Sequence, residues 1–155
     1  MIKAVEDDHS TWAAAPAKFE AGTPAIADGV GLGAAADYLA ALGMEAVRAH
    51  ELELTAYALE RLSGVAGVTI FGPQEAADRG SLVSFTVEGI HPHDLAELCN
   101  REAVAIRAGH HCAQPLMRRL GVPATARASF SVYNTTDEVD RLIDALENAK
   151  KVFGA

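Results

Sequence analysis

Apolar and polar positions follow two different periods along this chain. From Met44 to about Leu62, Val47, Leu54, Ala58 and Leu62 fall on one helical face. Leu52 and Leu59 widen that stripe, and Glu, Arg and His residues fill the other side. Residues 26–42 are also helical in character, with Ile26, Val30, Leu39 and Leu42 as apolar anchors. Their three glycines, Gly29, Gly31 and Gly33, each weaken helicity by about 1 kcal/mol. Close packing against a neighbour would offset that loss, and Gly43 is placed to stop the helix.

Beyond Gly64 the period shortens. Val68–Phe71 reads as a short strand ended by Gly72-Pro73. Within Ser81–Val87, Val83, Phe85 and Val87 face one way, and Ser84 and Thr86 the other. Val104–Arg107 and Arg127–Val132 read as two further strands. Pro92 opens a helix running to about Glu102, and Pro115–Leu120 is a short one. Thr135 and Glu138 form a capping-box pair ahead of Val139, Leu142, Ile143, Leu146 and Val152, which signals a last helix. Residues 1–25 carry neither period and read as an irregular segment built to lie on something else. The expected fold class is α/β in the sense of an α+β layer, a small sheet covered by helices. The expected division is an irregular segment (1–25), linking helices (26–63) and a C-terminal domain (64–155).

Composition narrows the function classes. With 155 residues, half of them apolar and 22% charged, the chain can bury a real core. A net charge of −8 argues against nucleic-acid or anionic-membrane partners, which need a positive face. No apolar run approaches the roughly 20 residues that span a bilayer, and the opening residues lack a secretory signal's apolar stretch. Two cysteines, Cys99 and Cys112, are too few for a disulfide framework, so a reduced cytoplasmic protein is the expectation.

The chemistry concentrates in Arg107-Ala108-Gly109-His110-His111-Cys112-Ala113-Gln114-Pro115, a loop between a strand and a short helix. A nucleophilic thiolate needs positive or hydrogen-donating neighbours and exposure, and Arg107, His110 and His111 are close in sequence. The competing reading of Cys112 is a buried small hydrophobe, which is the reading adopted for Cys99 inside an amphipathic helix. His91, His93, His110, His111 and Cys112 are all possible zinc ligands, but their spacing matches no standard zinc pattern. Arg127 lies on a strand face with Ser129 and Ser131, where a guanidinium suits bidentate capture of a carboxylate, or is simply a surface charge. Thr23 precedes a helix as its N-cap or as a phosphate contact, with the cap preferred. None of the four lysines, Lys3, Lys18, Lys150 and Lys151, has an apolar setting suited to Schiff-base chemistry.

Together these segments resemble the class V aminotransferases, and within them the SUF-type cysteine desulfurases. The resemblance runs from Ser10-Thr11-Trp12 through Phe19-Glu20-Ala21-Gly22-Thr23-Pro24, His50-Glu51 and Phe71-Gly72-Pro73. It continues through the Arg107–Pro115 loop, Arg127-Ala128-Ser129 and Tyr133-Asn134-Thr135, and the loop is its most specific part. It implies the C-terminal small domain of a fold-type I enzyme, with a mostly antiparallel sheet, preceded by helices that pack on a large domain. It also implies pyridoxal 5′-phosphate as cofactor, L-cysteine as substrate and a homodimer.

By the same resemblance, Cys112 carries the persulfide and Arg127 holds the substrate carboxylate. Thr23 would reach the cofactor phosphate of the neighbouring subunit. Arg107 and His111 are expected to orient the loop or stabilise the thiolate. His93 matches a histidine that contacts the zinc of a sulfur-acceptor protein of the SUF system; no intrinsic metal is expected.

The departures matter as much. Family members are more than twice as long, and the Schiff-base lysine, the aspartate at the pyridine nitrogen and the histidine over the ring have no counterpart here. The chain alone is therefore not expected to turn over L-cysteine. The alternative is a non-catalytic persulfide carrier or interaction module, which needs only Cys112 and a docking surface. A remnant without function of its own is the third reading.

Overall fold

The structure, a computed structural model, describes residues 1–154. It divides into two compact units, Met1–Met44 and the chain from Glu45 onward.

In the first unit, β1 (Ile2–Val5) pairs antiparallel with β2 (Ser10–Trp12), matching Ile2 with Trp12 and Val5 with Ser10. The turn between them is closed by Glu6 N–H donating to the His9 carbonyl at 2.8 Å. This corrects the expectation of an irregular opening. Both faces of this ribbon are largely exposed, so selection left no two-residue alternation to read. A turn of 3₁₀ helix (Ala17–Phe19) and α1 (Ile26–Leu42) follow.

Ala25 is the N-cap of α1 and gives no side-chain bond, so Thr23 lies two residues too early to cap it. Gly43, at φ +85°, ends the helix by donating its N–H to the Leu39 and Ala40 carbonyls. No residue of α1 is buried, and a Cβ on Gly29, Gly31 or Gly33 would meet nothing within 4 Å. The neighbour those glycines were expected to pack against is not among the described residues.

The second unit is built on a four-stranded antiparallel sheet of order β3-β4-β6-β5, made of Val68–Phe71, Leu82–Val87, Thr125–Ser129 and Arg107–Gly109. Its helices are α2 (Met44–Ser63), α3 (Pro92–Arg101), α4 (Gln114–Leu120) and α5 (Thr136–Phe153). The alternation read in Ser81–Val87 holds: Val83, Phe85 and Val87 are buried, and Ser84 and Thr86 turn to the opposite face. Against the apolar face pack Ala58, Leu59 and Leu62 of α2, Leu95 and Cys99 of α3, and Val139, Leu142 and Leu146 of α5.

α2 thus belongs with the sheet, and its buried Thr55 satisfies its hydroxyl by donating to the Glu51 carbonyl at 2.7 Å. Tyr57 and Arg61 both reach Asp140 of α5 at 2.9 Å. The capping box at α5 is present, with Glu138 accepting from Thr135 N–H at 3.0 Å. Hydrogen bonds from Asn134 and then Thr135 hold the Glu138 carboxyl below its ordinary range.

Two strands are displaced from their expected limits. β5 starts only at Arg107, because Val104 N–H still donates to the Cys99 carbonyl at the end of α3, with Ala103 at φ +60°. β6 begins at Thr125 and ends at Ser129, after which Phe130 N–H donates to the Ser81 carbonyl.

Candidate functional site

The sheet's second face carries one row across all four strands. Phe71 pairs with Ser84, Ser84 with Arg127, and Arg127 with Arg107. Two arginines directly opposite one another on adjacent strands repel, which costs stability that an apolar or oppositely charged pair would supply. Neither forms an ion pair among the described residues. Arg127 Nε is buried and has no hydrogen-bond acceptor. An enclosed donor left without a partner costs about 1–3 kcal/mol, and more when charged.

Cys112 stands beside this row at the end of β5. His111 and Cys112 both adopt positive φ, +54° and +60°, a conformation that L-residues avoid outside tight turns. The kink turns Cys112 out to solvent while Arg107 Nη2 approaches its Sγ at 3.9 Å. Arg107, His110, His111, Gln114 and Pro115 line an open groove of 510 Å³ around the thiol. Cys99 is the contrast: it is wholly buried, and desolvation pushes its thiol up to about 11.

His111 fixes the kink from inside. Its Nε2 lies 3.1 Å from the Thr125 carbonyl and 3.0 Å from the Thr125 hydroxyl. A carbonyl can only accept, so Nε2 carries the hydrogen and the buried Nδ1 is a bare lone pair without a partner. Burial, with Arg127 next, lowers the His111 pKa, against the raising effect of the Thr125 carbonyl. Because the folded value lies below the unfolded one, His111 opposes protonation of the folded chain. Its contribution to stability is complete above the ordinary histidine value of about 6.5 and is lost as pH falls below it. Side-chain ¹⁵N NMR is expected to show the Nε2–H tautomer persisting below pH 6.5. His111→Gln, which can still donate to Thr125, is expected to flatten the acid limb of a stability–pH curve. A midpoint at or above that of an exposed histidine would refute this.

His93 sits in the first turn of α3, exposed, with its N–H donated to the Nδ1 of the N-cap His91 at 3.3 Å. It lines a shallow groove with Glu97, Asn100 and Ala108, and its Nε2 lies 3.6 Å from where a Cβ on Gly109 would stand. No group of three or more metal-capable His, Cys, Asp or Glu side chains converges among the described residues. Thr23 belongs to the other unit and is exposed, in a bend after Gly22 (φ +81°).

Arg79, in the loop between β3 and β4, was not singled out by the sequence. It donates to the Phe71 carbonyl, its Nη1 is buried without an acceptor, and it lines the same 440 Å³ cavity as Ser84, His111 and Arg127. The signal available was a lone arginine ahead of an alternating strand, which reads as a solvated turn.

No lysine lines this cavity or the groove at Cys112. Lys150, the most enclosed of the four, bonds Glu147 near the far end of α5. The residues present therefore do not fit pyridoxal phosphate on their own, since the amine that would anchor it is missing.

Residues 1–142 match the model of the class V aminotransferases, and the chain belongs to that family. Among named relatives it is 51% identical over 154 residues to a probable cysteine desulfurase of Streptomyces coelicolor, covering 99% of this chain and 37% of that one. It is 54% identical over 154 residues to probable cysteine desulfurase 2 of Mycobacterium leprae, again covering 99% and 37%. A crystal structure of an Escherichia coli cysteine desulfurase in an S-sulfonic acid form superposes with a TM-score of 0.81 at 37% identity, over 99% of this chain and 37% of that one. The apo cysteine desulfurase of Thermococcus onnurineus gives 0.82 at 36% identity, over 97% and 38%. The chain thus spans little more than a third of the length of these relatives.

Proposed function

We propose that this chain is the sulfur-accepting, C-terminal part of a SUF-type cysteine desulfurase, which converts L-cysteine to L-alanine and leaves an enzyme persulfide for iron–sulfur cluster assembly. The observation that carries the reading is an exposed Cys112 on a doubly left-handed kink, with the Arg107 guanidinium 3.9 Å from its sulfur and Arg127 one strand away. Arg127, unpaired on a rigid strand, receives the substrate carboxylate. Cys112 as thiolate takes the sulfur: an S–S bond forms, the substrate's C–S bond breaks, and the carbon keeps the electron pair and gains a proton. His111 holds the kink against β6, and Arg107 steadies the negative sulfur before and after transfer.

Cysteine desulfurases use pyridoxal phosphate. With no lysine at this site, the amine that anchors it comes from outside the chain, in the portion of the relatives this chain does not span. Thr23, free of any capping duty, is available to the cofactor's phosphate across a homodimer. The exposed apolar residues of α1, Ile26, Val30, Leu32, Tyr38 and Leu42, are spread around the helix and suit packing on that cofactor-bearing portion. An exposed His93, beside a groove that leads to Ala108, suits contact with the zinc of a sulfur-acceptor protein. Among the described residues no single helix is long and apolar enough to cross a membrane, and the setting proposed is the cytoplasm.

The test mixes the chain with the separately produced cofactor-bearing remainder of the Streptomyces coelicolor relative and L-cysteine. Alanine release is expected from the mixture and not from the chain with pyridoxal phosphate alone. A mixture that forms a stable complex yet releases no alanine would sink the desulfurase reading. The persulfide-carrier reading would then stand, since it asks only for an exposed Cys112 and a docking surface.

A further inference from the structure

Arg79, Ser84 and Arg127 share a feature that carbonyl and hydroxyl groups of the chain leave unresolved. The guanidinium of Arg79 is anchored at the end of β3 by the Phe71 carbonyl, and Phe71, Ser84 and Arg127 stand side by side on β3, β4 and β6. Two strand spacings separate Phe71 from Arg127, about 10 Å. Both arginines line one cavity, with Ser84 on the strand between them. Ser84 makes no side-chain hydrogen bond among the described residues and lines the cavity between them.

Neither arginine is paired with a carboxylate among the described residues. Asp78 borders the cavity yet forms no ion pair with either arginine, and burial opposes the charge on Arg79. A guanidinium does not discharge by losing its proton, so two partly desolvated cations facing one cavity suit a negative ligand. The cavity's remaining wall is apolar, from Leu82, Leu116, Met117 and Leu120, which strengthens the field inside it. Gly72, at φ +93°, lets Arg79 lie where a Cβ would come within 2.8 Å of its Nη2, so the backbone has been fitted to this arginine.

We propose that Arg79 is a second carboxylate-binding residue, forming with Arg127 a two-guanidinium site, bridged by Ser84, for the carboxylate of a small α-amino acid. This rests on the reading of Arg127 given above and adds a residue to it. A single arginine fixes a carboxylate in one plane; a second cation from β3 sets how deeply the amino acid sits. The depth in turn fixes the distance from the substrate's sulfur to Cys112.

The probe is L-alanine, which carries the carboxylate and no reactive sulfur, titrated into the chain labelled with ¹⁵N-arginine. The Nε–Hε resonances of Arg79 and Arg127, assigned from Arg79→Lys and Arg127→Lys, are expected to move together with one apparent Kd. Arg79→Lys keeps the charge and a donor for the Phe71 carbonyl, so the turn survives, and is expected to weaken binding several-fold. Arg79→Gln, with folding checked by circular dichroism, is expected to weaken it roughly tenfold or more. The proposal is overturned if only Arg127 responds, if Arg79→Gln binds within twofold of the parent, or if the folded chain binds no L-alanine. None of these readouts needs turnover. A failure of the desulfurase reading, seen as absent alanine release, therefore leaves the titration interpretable.

Discussion

Replacing Cys112 by serine is expected to eliminate sulfur loading of the chain, with any residual transfer lower by a factor on the order of 10³ or more. Serine is nearly isosteric, and it can keep the φ of +60° as well or as badly as cysteine does, so the loop should persist. What is lost is chemistry. A thiol supplies appreciable thiolate near neutral pH and is intrinsically nucleophilic, whereas an alcohol with no adjacent base supplies neither property. His111 cannot serve as that base, because its Nε2 is committed to Thr125 and its Nδ1 is enclosed. Intact mass after exposure to a persulfide donor, and then to L-cysteine with the cofactor-bearing remainder, reads the result as gain of a sulfur atom. Cys99 is the internal control: buried and with its thiol pushed up to about 11, it should stay unmodified. Loading that survives in Cys112→Ser would show that the sulfur goes elsewhere.

The largest stability effect is expected at Phe85. It is fully buried at the middle of β4, the strand that pairs with both β3 and β6, and it is among the largest side chains with no exposure. Truncation to alanine empties part of the core that α2, α3 and α5 share with the sheet, and leaves a cavity beneath a strand held on both edges. Such Phe→Ala changes cost about 3–5 kcal/mol. Domains of this size have about 5–15 kcal/mol to lose. Urea unfolding should place the midpoint of Phe85→Ala far below the parent with an unchanged slope; a shift smaller than that of Ile70→Val, on the same face of β3, would contradict the core described above.

The parts of this fold that could be read in the sequence are those where burial imposes a period. The alternation through Val83, Phe85 and Val87 and the stripe through Leu54, Ala58 and Leu62 have one buried face each, and both were found where expected. The capping pair at Thr135 and Glu138 is local chemistry and was equally plain. The β1–β2 ribbon was invisible for the opposite reason, since neither face is covered within the chain. Arg127 was placed on the correct face by its buried neighbours Ala126 and Ala128. Thr23 was misread as a cap because a threonine two residues before the true N-cap has the same local composition. Arg79 was missed because its importance comes from a cavity assembled across β3, β4 and β6, and no local pattern encodes that. The left-handed geometry of His111 and Cys112 was hidden as well: histidine enters that region more often than most residues, but cysteine does not, and neither forces it.

That kink has a consequence for how the position can change over evolutionary time. Glycine is the residue the backbone prefers at 111 and 112, because it alone takes positive φ without steric cost. At 112 relief of backbone strain therefore points toward loss of the thiol, whereas at 111 the same relief would give up the bonds to Thr125. A lineage released from selection on the thiol is expected to lose Cys112 early, while the surrounding core remains intact.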